Sequence, residues 1–191
     1  MSTLIWASVL IVAGAAAWAL RDRLRRRAVP KILEPGNRLP DFDAVDDRGK
    51  PVGSADLRGH PAVLLFVRGT WCPFCSSQVR ELTRYYREIT ASGARLVLMT
   101  PKPLETTRRV AEFFDVDFEF WLDKNLDVAR RLGLLVEGVV PGEYRAEFGE
   151  DSLWPTSLVV DADGIIRYTS LSRFLLDRPD PRKLLRIVSA L

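Results

Sequence analysis

The chain has 191 residues, 47% hydrophobic and 28% charged, which gives room for one globular domain of ordinary size plus an accessory segment. Its net charge of +3 is unevenly spread: residues 1–35 carry six Lys/Arg against two Asp/Glu, and the remainder carries 22 against 23. The body of the protein is therefore nearly neutral, without the charge of a nucleic-acid binder, and its two cysteines are too few for a disulfide framework.

Leu4 to Leu20 is a run of 17 residues without a charge, with Trp6 and Trp18 near its ends. As a helix it would span about 25 Å, the short end of what a bilayer core requires. Arg21, Arg23, Arg25, Arg26 and Arg27 follow at once. Residues 1–27 are therefore expected to be a single transmembrane helix with its basic flank. A cleaved signal peptide with Ala15-Ala16-Ala17 at its cleavage site is the competing reading, disfavoured because no Lys or Arg precedes the run. The positive-inside rule puts the arginines, and the domain after them, on the cytoplasmic face. The alternative is an extracytoplasmic domain.

Residues 28–40, rich in proline, read as a linker, and residues 41–191 as one domain. Phe42–Val45 and Lys50–Val52 flank Asp46-Asp47-Arg48-Gly49, a hairpin signal. Asp56 to Pro61 reads as a turn, and its His60, the only histidine in the chain, as a turn residue rather than a general base. Ala62 to Val67 is an unbroken apolar run, a buried strand. Trp71-Cys72-Pro73-Phe74-Cys75 follows, and then a helical stripe through Val79, Leu82, Tyr86 and Ile89. A second buried strand is expected over 95–99, a helix over 103–114, a short strand over 118–122 and a short helix over 126–132. Residues 138–152 form an acidic insertion, read as a solvated loop. Strands over 158–160 and 165–168 are joined at Asp161-Ala162-Asp163-Gly164, where turn chemistry explains the residues better than calcium ligation. A last helix is expected over 181–190. The alternation of strands and helices defines an α/β layer architecture.

A Cys-x-x-Cys pair between a buried strand and a helix start is a redox placement. Unsatisfied main-chain N–H groups and the positive end of the helix dipole favour a thiolate there. Cys72 is expected at the helix cap, more exposed and more reactive, with Cys75 one turn in and shielded. A zinc site needs about four ligands, and beside the pair the chain offers a single histidine, His60; no metal or other cofactor is expected. Two idle buried cysteines are the bland alternative.

The run from Phe66 to Cys75 resembles the active-site segment of thioredoxin-fold redoxins, especially the peroxiredoxin-like branch of the alkyl hydroperoxide reductase/thiol-specific antioxidant family. Leu57-Arg58-Gly59, Trp154-Pro155-Thr156 and Val159 to Gly164 support the resemblance, which covers roughly residues 36–190. It implies a thioredoxin-like fold, a central mixed sheet flanked by helices. By that resemblance Pro155 looks like the cis-proline that faces the Cys-x-x-Cys, and Trp71 like the aromatic that packs beside it and faces substrate. The departures are specific. No acid stands in Leu64 to Val67, where thioredoxin has a buried aspartate. Aligned on Cys75, the proline and threonine that peroxiredoxins carry upstream are Arg68 and Cys72, and their later arginine is replaced by Trp154-Pro155-Thr156. Arg68 is then the nearest cation able to lower a thiol pKa.

Three functions follow as expectations. The first is a membrane-anchored thiol–disulfide oxidoreductase in which Cys72 attacks a disulfide of a protein partner and Cys75 resolves the mixed disulfide. The second is a thiol-dependent peroxidase, an antioxidant enzyme taking a hydroperoxide and a thiol reductant. The third is a redox-inactive membrane-bound binding partner.

Overall fold

The computed structural model describes residue 6 and residues 11–18, 28–101, 112–113, 118–172 and 177–191. Of the apolar run at 4–20, Trp6 and residues 11–18 are described, as exposed helix. The rest of that run, the arginines at 21–27 and the expected helix over 103–114, except residues 112 and 113, lie outside the described residues. Among the described residues no helix is long and apolar enough to cross a membrane.

Nine strands are described: β1 (Asp43–Asp46), β2 (Pro51–Gly53), β3 (Ala62–Phe66), β4 (Arg95–Thr100), β5 (Glu119–Leu122), β6 (Leu135–Val136), β7 (Ser152–Leu153), β8 (Thr156–Val160) and β9 (Ile166–Leu171). The α-helices of the domain are α1 (Pro73–Thr83), α2 (Tyr86–Ala91), α3 (Asp127–Arg131), α4 (Arg145–Phe148) and α5 (Pro181–Val188). Seven strands form one mixed sheet in the order β2-β1-β5-β4-β3-β8-β9, and β6 and β7 pair separately. The centre, β3-β4-β5, is parallel, while β8 and β1 join its two sides antiparallel. This is the α/β thioredoxin-like arrangement that the resemblance implied.

β3 shows why an unbroken apolar run makes a central strand. Side chains alternate across a sheet, so Ala62, Leu64 and Phe66 enter one core and Val63, Leu65 and Val67 the other. The first core holds Trp121, Leu132 and Leu134. The second packs α1, α2 and α5 against the sheet and contains both cysteines. Burying a Leu or Val fully is worth roughly 1.5–3 kcal/mol, so a charge in β3 would cost on either face.

The hairpin forms as expected. Asp46 Oδ1 accepts from the N–H groups of Arg48 and Lys50, and Gly49 takes a φ of 80°. Asp161 likewise serves a turn, accepting from the N–H groups of Asp163 and Ile165 and from Arg167 Nε. The single helical stripe expected after the motif is two helices, because the chain leaves helical hydrogen bonding between Thr83 and Tyr86. Val79 and Leu82 are buried from α1, and Ile89 from α2. The acidic insertion is exposed over most of its length, as a solvated loop is expected to be, and carries local structure of its own. It runs between the paired β6 and β7, contains a 3-10 turn at Gly142–Tyr144 followed by α4, and ties Arg145 Nε to the Val140 carbonyl.

Candidate active site

The motif sits at the carboxyl end of the parallel strands, where open α/β sheets place their sites. Val67 N–H donates to the Met99 carbonyl, prolonging the β3–β4 ladder by one bond, and then the chain turns through Arg68-Gly69-Thr70. Gly69 takes a φ of 103°, a conformation closed to most side chains. Its carbonyl accepts from Cys72 N–H at 3.3 Å. Cys72 is the extended N-cap of α1 and Pro73 the first helical residue, where no N–H is needed. Cys75 N–H and Ser76 N–H close the first turn on the Cys72 carbonyl at 3.0 and 3.2 Å.

Both cysteines are free thiols. The expectation that Cys72 is the more exposed is corrected: each is 2% exposed. The residues around the motif close over it, with Trp71 stacking on Tyr144 of the insertion at 6.4 Å between ring centroids. What separates the two sulfurs is hydrogen bonding. The Cys75 thiol donates to Cys72, and together with the Cys75 N–H and the charges of Arg68 and Arg178 this outweighs burial and pulls Cys72 down to about 6. Cys75 is pushed well up, first by giving its proton to that bond and then by burial. At pH 7 the pair is one thiolate and one thiol.

Arg68 lies between two indoles, its guanidinium carbon 5.7 Å from the Trp71 ring centroid and 5.9 Å from that of Trp154, while Nε donates to the Leu153 carbonyl at 3.2 Å. Burial lowers its pKa and the cysteines oppose that shift; an arginine remains a cation throughout. The structure thus brings together Cys72, Cys75, Trp71 and Arg68. Pro155 is buried at the start of β8, but among the described residues no peptide bond is cis. The cis-proline expectation is therefore corrected. The strand enters from Trp154, whose N–H is held by the Leu134 carbonyl, and Pro155 uses its own carbonyl to accept from Ser172 N–H.

Sequence reasoning missed three contributors. Arg178, just before α5, donates from Nη2 to Cys75 Sγ at 3.7 Å. Gln78, one turn beyond Cys75 and buried on the same stripe, donates to Ser157 Oγ of β8 at 3.2 Å. Tyr144 stacks on Trp71. The spacing from Cys75 could have found Gln78; nothing local points to Arg178 or Tyr144. His60 is an exposed turn residue, and among the described residues no three His, Cys, Asp or Glu side chains converge as a metal site.

A strand–Cys-Pro-x-Cys–helix unit on a mixed sheet, with a thiolate at the helix start, defines a thioredoxin-fold dithiol redoxin. Residues 35–169 match the model of the AhpC/TSA family. The chain belongs to that family, and is a thiol-dependent oxidoreductase by its site and its membership. It is 22% identical over 153 residues to chloroplastic peroxiredoxin Q of Sedum lineare, covering 79% of this chain and 76% of that protein. A shorter stretch of 51 residues is 47% identical to the thiol:disulfide interchange protein DsbE of Pseudomonas aeruginosa, spanning 26% of this chain and 28% of that one. Among solved structures, peroxidoxin BcpB from Mycobacterium tuberculosis superposes with a TM-score of 0.68 at 22% identity, over 83% of this chain and 98% of that one, a likeness of fold.

Proposed function

We propose that this chain is a thiol-dependent peroxidase in which Cys72 is oxidised and Cys75 resolves it. The observation that carries the reading is a thiolate–thiol pair whose sulfurs are both covered. Cys72 is ionised at neutral pH, yet only 2% of the residue meets solvent. A protein disulfide must bring its own sulfur onto the attacking one; a hydroperoxide needs only a gap the width of two oxygens. The thiolate attacks the distal peroxide oxygen, the O–O bond breaks, an alcohol or water leaves, and Cys72 becomes a sulfenic acid. Cys75 then displaces its oxygen as water, and an external thiol reduces the disulfide. Arg68 supplies positive charge beside the reacting sulfur. Family membership and the peroxiredoxin names of its relatives support the same reading.

Consumption of hydrogen peroxide and cumene hydroperoxide by the reduced full chain, with dithiothreitol as reductant, tests it. The Cys72→Ser protein should lose all turnover, and the Cys75→Ser protein should complete one oxidation and stall. Absence of hydroperoxide consumption alongside catalysed insulin reduction would overturn the reading in favour of thiol–disulfide exchange. That second reading draws on the DsbE-like stretch and the Cys-Pro-x-Cys itself. A redox-inactive partner fits poorly with an ionised Cys72.

The placement in the cell is inferred from sequence alone. The uncharged run at 4–20 with five arginines after it supports a single membrane anchor with the redoxin domain on the cytoplasmic face. A carboxyl-terminal reporter that works only after export should be silent, and activity from it would reverse the orientation.

A further inference from the structure

We infer that Arg178 is a positioning residue for the second half-reaction, holding Cys75 as the thiolate that attacks oxidised Cys72. The inference rests on the peroxidase reading for the identity of the oxidised sulfur. Arg178 lies outside the family-matched residues 35–169. Its guanidinium is fixed from one side: Nη1 donates to Ser172 Oγ at 2.6 Å and to the Asp177 carbonyl at 3.0 Å. Ser172 is itself held, with its hydroxyl donating to the Asp177 carbonyl and its N–H to Pro155. That bracing leaves Nη2 directed at Cys75 Sγ, 3.7 Å away, while Nε is buried without an acceptor. Among the described residues neither Arg178 nor Arg68 pairs with a carboxylate.

The groups facing Cys75 are few. Cys72 lies across the first turn of α1, Arg68 in the loop after β3 points its main-chain N–H at the sulfur and adds the charge of its side chain, and Arg178 approaches from before α5. In the reduced protein the Cys72 thiolate keeps the proton on Cys75. Oxidation removes that negative charge and with it the reason for Cys75 to stay protonated. What remains around the sulfur is one main-chain N–H, the Arg178 guanidinium that contacts it and the charge of Arg68, all favouring thiolate. Cys75 then sheds its proton and attacks Cys72 Sγ; the S–S bond forms, the S–O bond breaks, and the departing hydroxide with that proton makes water. The sulfenic acid is the only oxidant the step needs. Arg178 thus adds a little to the charge that favours the Cys72 thiolate in the reduced protein, and acts mainly on Cys75 once Cys72 is oxidised.

Two measurements on the full chain in detergent test this. The first needs no hydroperoxide: in a Cys72→Ser background, the iodoacetamide rate of Cys75 is followed against pH. Adding Arg178→Gln should lower that rate at least fivefold at pH 7.5, with the titration moved to higher pH, and Arg178→Lys should restore most of it. An unchanged rate overturns the proposal. The second follows a single turnover of the two-cysteine protein, with dimedone trapping Cys72 sulfenic acid. Arg178→Gln should lengthen the life of that species at least tenfold while slowing its formation less than threefold. Equal slowing of both steps would assign Arg178 to Cys72 and overturn the proposal; no sulfenic acid in the unsubstituted protein would overturn the peroxidase reading, with the Cys75 titration still deciding Arg178.

Discussion

Tyr144 stacks on Trp71, with ring centroids 6.4 Å apart and planes at 30°. The pair joins the acidic insertion between β6 and β7 to the residue that precedes Cys72. It also explains how a motif at the end of a strand comes to be covered. Tyr144 is 38% exposed, so the stack is the outer layer of that cover. Offset aromatic pairs are worth about 0.5–1.5 kcal/mol beyond the area they bury, an energy a substrate can overcome on entry.

Removing the tyrosine ring should therefore open the site. For Tyr144→Ala we expect Cys72 to alkylate about three- to tenfold faster with a bulky maleimide, the range that such a stacking energy corresponds to, while the thermal midpoint changes little. Reaction with a small alkylating agent should respond less. Equal acceleration for both reagents would indicate a change at the sulfur rather than at its cover.

The titration of the pair has a defined sign. Cys72 is depressed to about 6, chiefly by the Cys75 thiol, so its contribution to the stability of the reduced protein is complete above the ordinary thiol pKa and is lost as pH falls through about 6. Cys75 is raised, so its contribution is present below the ordinary thiol pKa and is lost as pH rises through its folded value. The reduced form should thus gain stability from pH 5 toward pH 8, relative to a Cys72→Ser protein. The disulfide/dithiol potential should fall by about 59 mV per pH unit below pH 6, where reduction takes up two protons, and by about 30 mV above it, where it takes up one. Equilibration with glutathione buffers over pH 5–8 measures that slope, and a constant 59 mV would exclude a thiolate at neutral pH.

What the sequence made legible was local. An apolar run of strand length predicts β3, and the cysteine spacing and Pro73 predict the helix start. Asp46 to Gly49 carries its turn chemistry openly. The remainder depends on contacts between distant positions: 103 residues separate Arg178 from Cys75, and 79 separate Gln78 from Ser157. Nothing around Arg178 distinguishes it from the many solvated arginines of this chain. The equal burial of the two cysteines was hidden for the same reason, since helix periodicity places side chains on a face without showing what covers it. Pro155 shows the opposite failure, a local motif read through a family habit that this backbone does not follow.

The Gln78–Ser157 bond can be separated from chemistry. Both groups are buried, at 6% and 1% exposure, and each satisfies the other between α1 and β8. Gln78→Leu leaves the Ser157 hydroxyl without its donor and should cost about 1–3 kcal/mol in urea unfolding of the reduced protein. Adding Ser157→Ala should recover much of that loss, because no polar group is then left stranded. Strictly additive losses would mean that the two side chains are not coupled.

Arg68 offers the sharpest test of how the thiolate is sustained. Its cation lowers Cys72, but it follows the Cys75 thiol and N–H in weight, and it is held by two indoles and a carbonyl rather than by a carboxylate. Arg68→Met keeps the length of the stem between Trp71 and Trp154 and removes the charge. The Cys72 titration should then move to higher pH, and the rate of oxidation by hydroperoxide at pH 6 should fall by about three- to tenfold, the effect of roughly one pK unit, the low end of the range for losing a nearby opposite charge. At pH 9 the rate should return close to that of the unsubstituted protein, since the thiolate forms there without help. Arg68→Lys retains a charge but loses the flat surface that stacks on both rings, so its thiolate should be intermediate. Stopped-flow tryptophan fluorescence across pH 5–9 follows all three proteins. A deficit in Arg68→Met that persists unchanged at pH 9 would mean that the guanidinium acts on the peroxide rather than on the sulfur.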